Sequence, residues 1–159
     1  MNVTTKSGDA GISYWKDRGV HKDDILIETI GALDELQAVI MMVGNGLKPF
    51  PTEEIEVDLW GVMGEISFGK KYEKLEERII EMEKVIDGLE ISLPKLDKFL
   101  IFKKDKAVKL NWIRTEVRKA ERRMVALAKK ESLNPKLLAY INRLSDYLFM
   151  LAREQEGMV

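Results

Sequence analysis

The stretch that most constrains the fold is residues 110–130, LNWIRTEVRKAERRMVALAKK. Leu110, Ile113, Val117, Ala120, Met124 and Leu127 recur at steps of three and four, which places them on one stripe of an α-helix. Beside that stripe lie Arg114, Arg118, Glu121 and Arg122. Arg114 and Arg118 are four residues apart and share a face, one turn apart. Glu121, three residues beyond Arg118, is within reach to orient its guanidinium. A helix that packs on one side and carries fixed positive charge on its flank suits a carboxylate or a phosphate chain. A solvated basic face satisfies the same pattern, and this helix alone does not choose between them.

The rest of the composition narrows the chemistry. A chain of 159 residues, 45% hydrophobic, reads as one domain with a real core. With no cysteine there is no disulfide frame, thiolate nucleophile or zinc–cysteine site. A single histidine, His21, excludes a di-iron bundle built on Glu-x-x-His pairs. No apolar run is long enough to span a bilayer, and no signal-peptide pattern opens the chain, so a cytoplasmic protein without a membrane partner is expected. The net charge of −1 hides an uneven spread: residues 53–90 carry 12 acids and 5 bases, residues 103–130 carry 11 bases and 3 acids. An acidic hairpin facing the basic helix accounts for this, as does an anionic ligand on that helix.

Residues 1–22 do not read as helix. Thr4, Thr5, Lys6, Ser7, Gly8, Asp9, Ala10 and Gly11 are small or polar, and backbone amides near the two glycines together with Lys6 are suited to phosphate. The P-loop pattern is absent. A first helix is expected over about 23–43, capped by Asp23 or Asp24, with Leu26, Ile30, Leu33, Leu36 and Ile40 inward and Asp34 among its acids. Gly44-Asn45-Gly46 ends it. Thr52 is the expected cap of a second helix that breaks near Gly69, and a third runs from about Tyr72. The apolar connection Phe99-Leu100-Ile101-Phe102 reads as a short strand or a loop pressed on the bundle, and Asp105 as the cap of the arginine helix. Asn134-Pro135 starts the last helix, with Leu137, Ile141, Leu144, Leu148 and Leu151 inward. Asn142, Ser145, Asp146 and Phe149 lie on its neighbouring face.

Four of these stretches, TKSGDAG, IETIGALDELQA, RTEVRKAERR and YINRLSDYLFMLAR, together resemble the PduO-type ATP:cob(I)alamin adenosyltransferases, in the same order and across nearly the whole chain. The resemblance implies an all-α, five-helix bundle of ferritin-like architecture with a non-helical N-terminal ATP-binding segment. It makes the whole of 1–159 one domain, with the nucleotide-binding segment at 1–22 and the bundle at 23–156. It implies a homotrimer with active sites between subunits, and transfer of the 5′-deoxyadenosyl group of ATP to the cobalt of cob(I)alamin, releasing triphosphate. Thr5, Lys6, Ser7, Gly8, Asp9 and Lys22 then lie at the ATP phosphates. Arg118 grips the triphosphate, and Glu121 and Asn142 hold the nucleotide. Arg114 pairs with Asp34 across the interface, and Phe99 walls off the lower face of cobalt. ATP, Mg²⁺ and cobalamin as substrate are the small molecules implied. Mg²⁺ is held mainly by the phosphates rather than by protein side chains, and a reductase is a possible partner. The family's usual Pro-Gly-Gly turn after that phenylalanine is missing, Tyr14-Trp15-Lys16-Asp17 replaces a glycine-rich turn, and Gln37 stands where Asn is usual. The alternative reading is a diverged trimeric bundle that binds ATP or a corrinoid without efficient transfer. Nucleic-acid binding is not expected, because no aromatic–basic pattern accompanies the basic helix.

Overall fold

The computed structural model of the chain describes residues 4, 6–16, 18–97 and 99–157. Its centre is the arginine helix, which runs Asp105–Ala128. The expected stripe is the buried one: Leu110, Ile113, Val117, Ala120, Met124 and Leu127 are all at most 1% exposed, and Ala107 extends it by a turn. Each large apolar side chain buried this way contributes about 1.5–3 kcal/mol. In chain order the helices are α1 (Ile25–Gly44), α2 (Thr52–Phe68), α3 (Leu75–Ser92), α4 (Asp105–Ala128) and α5 (Pro135–Glu156). Helix α4 packs on both α1 and α5, α3 lies on the other side of α5, and α2 lies on α1. The five-helix, all-α expectation holds.

The helix ends both follow and correct the sequence reading. Asp24 caps α1, its carboxylate accepting from the Leu26 amide at 2.8 Å. Asn134 caps α5 by accepting from the Lys136 amide at 3.0 Å, with Pro135 at the first helical position. Gly69 ends α2 in the left-handed conformation (φ 71°), as the expected break there requires. Thr52 is not a cap: its hydroxyl donates to the Gly44 carbonyl at 2.8 Å, and Pro51 holds the cap position. Nor is Asp105, which lies inside α4 and pairs with Lys109 at 2.8 Å. Lys104 holds the cap position, and just before the helix Glu156 of α5 accepts from the Lys103 and Lys104 amides.

Helix α3 starts at Leu75 rather than Tyr72. Tyr72 is drawn away from helical geometry by its neighbours: its ring lies so close over Gly61 that an added Cβ there would sit 2.5 Å from it. Its amide donates to Glu65 and its hydroxyl to Asp58. On α3, Ile86 turns inward and Val85 stays 40% exposed.

The described residues of the N-terminal segment are non-helical, as expected, but they contain a hairpin that local pattern did not reveal. Strands β1 (Ile12–Trp15) and β2 (Arg18–His21) pair antiparallel, Ile12 opposite His21 and Trp15 opposite Arg18. Lys16 in the turn has φ 46°, a left-handed angle usually left to Gly or Asn. Its ammonium lies 4.3 Å from the Trp15 ring centroid, and the Arg18 guanidinium lies 4.4 Å from it. Arg18 also pairs with Glu131 at 3.0 Å, which pins the hairpin tip to the α4–α5 turn.

The charge asymmetry resolves differently from the expected hairpin-on-helix arrangement. The cations of α4 are answered mainly by α1, through Lys119–Glu35 at 2.6 Å and Arg123–Glu28 at 3.2 Å. The acids of α3 are answered by α5, through Arg143–Glu83 and Lys136–Glu76. Helix α3 packs on α5 instead of α4, so its charge cannot face the basic helix directly.

Candidate functional site

Arg114 and Arg118 leave α4 on the flank that faces α5. Arg114 is half-buried; its Nε donates to Asn111 Oδ1 at 2.9 Å, and its guanidinium lies 5.6 Å from the centroid of the Phe149 ring. Burial and then the neighbouring Arg118 charge pull Arg114 down from the ordinary guanidinium value, yet a guanidinium keeps its proton in any accessible buffer. Arg118 is exposed. None of the ion pairs among the described residues uses either arginine. A half-buried cation without a carboxylate is poised for an anion supplied from outside the chain.

Two turns beyond Arg114, Glu121 accepts from Asn142 Nδ2 at 3.1 Å. Asn142 precedes Phe149 by the same seven residues, so the two antiparallel helices meet in register at both pairs. Arg118 lies between these pairs on α4. Glu121 therefore orients Asn142, and the expected ion pair between Glu121 and Arg118 does not form among the described residues.

Phe99 stands on the connection between α3 and α4, its ring fully exposed at 102%. It borders a cleft of ≈ 550 Å³ lined also by Leu96, Leu100, Phe102, Arg114 and Phe149. Among its described residues the connection forms no strand. The cleft thus joins these apolar side chains to Arg114, with Asp97 and Asn111 also on its lining.

The N-terminal candidates lie elsewhere. Thr5 lies outside the described residues. Lys6 adopts φ 58°, and its carbonyl accepts from the Asp9 amide at 3.3 Å. The Gly11 amide donates to the Gly8 carbonyl at 3.1 Å, and the Lys22 amide to the Gly11 carbonyl at 2.9 Å. These bonds correct the expectation of free amides near Gly8 and Gly11, since the Asp9 and Gly11 amides are used within the turn. The Lys22 ammonium approaches Gly8 so closely that a Cβ there would lie 3.0 Å from it. Gly8 thereby brings a cation against the segment holding Ser7 and Asp9. Lys22 also borders a second cleft, of ≈ 440 Å³, with Glu28, Gly31, Glu35, Lys119 and Arg123.

Lys119 and Arg123 point to α1, whereas Arg114 and Glu121 point to α5. Within one chain the candidate residues therefore lie on opposite flanks of α4: Gly8 and Lys22 on one, Arg118, Glu121 and Asn142 on the other. Asp34 is exposed on α1 and forms no ion pair with Arg114 among the described residues. No cluster of three or more His, Cys, Asp or Glu suited to a metal occurs among the described residues.

A cobalamin adenosyltransferase family model matches residues 3–155. The chain belongs to the cobalamin adenosyltransferase family. The corrinoid adenosyltransferase of Bacillus subtilis is 34% identical over 165 residues, covering 96% of this chain and 86% of that protein. The corrinoid adenosyltransferase PduO of Citrobacter freundii is 32% identical over 98% of this chain, which spans 50% of the length of that protein. Among solved structures, a variant PduO-type ATP:corrinoid adenosyltransferase from Lactobacillus reuteri, complexed with cobalamin and ATP, superposes with a TM-score of 0.88 at 26% identity, covering 99% of this chain and 94% of that one. A second variant of the Lactobacillus reuteri protein, complexed with ATP, gives 0.85 at 27% identity, covering 98% and 95%.

Within this cobalamin adenosyltransferase family member, sequence reasoning missed the stacking of Arg114 on Phe149. The signal was available, because Phe149 is seven residues beyond Asn142 and shares its stripe. It also missed Asp58, which is wholly buried and accepts from Tyr72 Oη at 2.7 Å, Arg78 Nε at 3.2 Å and Tyr140 Oη at 3.2 Å. Those partners lie on or before α3 and on α5, and no local pattern announces them.

Proposed function

We propose that the chain transfers the 5′-deoxyadenosyl group of ATP to the cobalt of cob(I)alamin. The Co(I) electron pair attacks C5′, a Co–C bond forms, the C5′–O bond breaks, and triphosphate leaves with the bonding pair. The observation that carries the assignment of residues is the pair of guanidiniums, Arg114 and Arg118, without a carboxylate on the flank that also holds Glu121 and Asn142. Charge builds up on the leaving triphosphate, and fixed guanidinium and ammonium groups stabilise it without reorganising. Arg118 has that role here, with Lys6 and Lys22 beside the phosphates at Ser7, Gly8 and Asp9. Asn142, oriented by Glu121, holds the nucleotide. Mg²⁺ fits as a phosphate-bound ion, because the described residues offer no carboxylate cage for it. Phe99 supplies the apolar surface against cobalt, and the cleft between it and Arg114 receives the corrin.

The reading includes a homotrimer. The two halves of the nucleotide site lie on opposite flanks of α4, so a neighbouring copy that laid its N-terminal segment and Asp34 against Arg118 and Arg114 would complete it. A cytoplasmic setting and a separate reductase for cobalt belong to the same reading. Among the described residues no helix is long and apolar enough to cross a membrane.

The test mixes purified protein with ATP, Mg²⁺ and chemically reduced cobalamin under anaerobic conditions, and follows adenosylcobalamin and triphosphate by chromatography. Equal amounts of both products are expected. Arg118→Ala should lower the rate by about two orders of magnitude or more, with the unfolding transition unchanged because Arg118 is exposed and lies outside the core. Saturable ATP binding without either product would overturn the transferase reading in favour of a binding bundle.

A further inference from the structure

The connection that carries Phe99, residues 93–104, has no secondary structure of its own among the described residues, yet it is fastened along one stripe of α5. Phe149, Arg153 and Glu156 stand at steps of four and three on that helix, so they share a face. Each holds a different part of the connection. Arg153 Nη2 donates to the Pro94 carbonyl at 2.6 Å, where the connection leaves α3. The Phe149 ring meets Phe102 edge-on, with centroids 6.2 Å apart. Glu156 Oε2 accepts from the Lys103 amide at 2.9 Å and the Lys104 amide at 3.0 Å, where the connection enters α4. Past the helix end, Gly157 leaves room for the Lys104 side chain, whose ammonium an added Cβ would meet at 2.7 Å.

Arg153 is the unusual member. It is 7% exposed, no carboxylate pairs with it among the described residues, its Nη1 meets only Met150 Sδ at 3.5 Å, and its Nε has no acceptor. A buried cation without a counter-charge is unfavourable for stability alone. Its one short bond goes to the connection. Glu156 is the complement: its carboxylate is held below the usual range chiefly by the two backbone amides it accepts from. Neither residue borders the cleft beside Phe99.

We infer that Arg153 and Glu156 are positioning residues that hold the Phe99 connection against α5 and so set the corrinoid side of the site independently of its nucleotide side. The inference rests on the transferase reading for what the connection touches. Fastening both ends of an otherwise irregular segment removes the ordering that ligand binding would have to impose. The same face of α5 continues to Phe149, on which Arg114 is stacked. The helix thus serves as a rail, with corrinoid contacts fastened at its end and the nucleotide contact Asn142 two turns before Phe149.

The experiment uses the full chain with Glu156→Ala, Glu156→Gln and Arg153→Met. Cob(II)alamin affinity is measured by visible absorbance in the presence of ATP, ATP affinity by calorimetry, and amide exchange of residues 99–104 by mass spectrometry. Glu156→Ala should weaken cob(II)alamin binding about five-fold while ATP affinity changes by less than about two-fold. Glu156→Gln, which keeps a carbonyl acceptor, should recover part of the loss. Arg153→Met should act in the same direction, and exchange at the connection should accelerate in both. Glu156 is partly exposed at the end of α5, so its variants report even where Arg153→Met fails to fold. Unchanged exchange at Lys103 and Lys104, or equal losses of ATP and corrinoid affinity, would overturn the inference. If the wild type binds both ligands yet forms no adenosylcobalamin, the transferase reading fails, and the separation of the two affinities still decides the positioning role.

Discussion

Asp58 shows what a single residue contributes when its partners come from afar. Its carboxylate is fully buried and accepts three hydrogen bonds, from Tyr72, Arg78 and Tyr140. Asp58→Ala strips all three donors at once and leaves Tyr140 Oη orphaned in the core. The expected loss is about 3–5 kcal/mol in urea unfolding, with activity per folded molecule unchanged. The tyrosines extend the argument to pH. Burial first, and then the Asp58 carboxylate, raise both Tyr140 and Tyr72 above the ordinary phenol value. A raised folded-state pKa means that their contribution is complete below the unfolded value of about 10 and falls as pH rises through the folded values. Stability should therefore decline above about pH 10. Tyr140→Phe should flatten that decline; an identical alkaline slope in wild type and variant would show that the phenol does not govern it.

Elements differ in how much of them could be read from sequence. Helices α4 and α5 were legible because long stripes at helical spacing met clear punctuation at Asn134-Pro135. The β-hairpin was not, because each strand has four residues and a lysine holds the turn position where glycine or asparagine would have announced it. The connection at 93–104 was legible only as apolar. Its course depends on bonds to α5 more than fifty residues further along the chain, which no local pattern encodes. Phe99 is the consequence. A residue 102% exposed in one chain is free of packing duties, so Phe99→Ala should leave stability within about 0.5 kcal/mol. Its effect should appear instead in the chemistry. On the proposed reading, in which the ring would stand against cobalt in place of an axial ligand, its loss would leave Co(II) harder to reduce. Reduction on the protein should slow markedly while ATP affinity holds. Equal losses of both would remove Phe99 from the corrinoid side.

At the scale of the whole molecule, the site residues read from sequence are divided in space. Lys22 and Gly8 meet on the α1 flank of α4, while Arg118, Glu121 and Asn142 gather on its α5 flank. Asp34 on α1 and Arg114 on α4 form no ion pair among the described residues. If a second copy brings them together, Asp34→Ala and Arg114→Ala each remove the same contact, and the double variant costs little more than either alone. The coupling energy of such a cycle should be about 1–3 kcal/mol, read from trimer dissociation in sedimentation and from ATP affinity. A pair that never meets gives additive losses instead, because residues without shared partners act independently. Additivity would also leave the half-buried Arg114 without a paired carboxylate from a second copy.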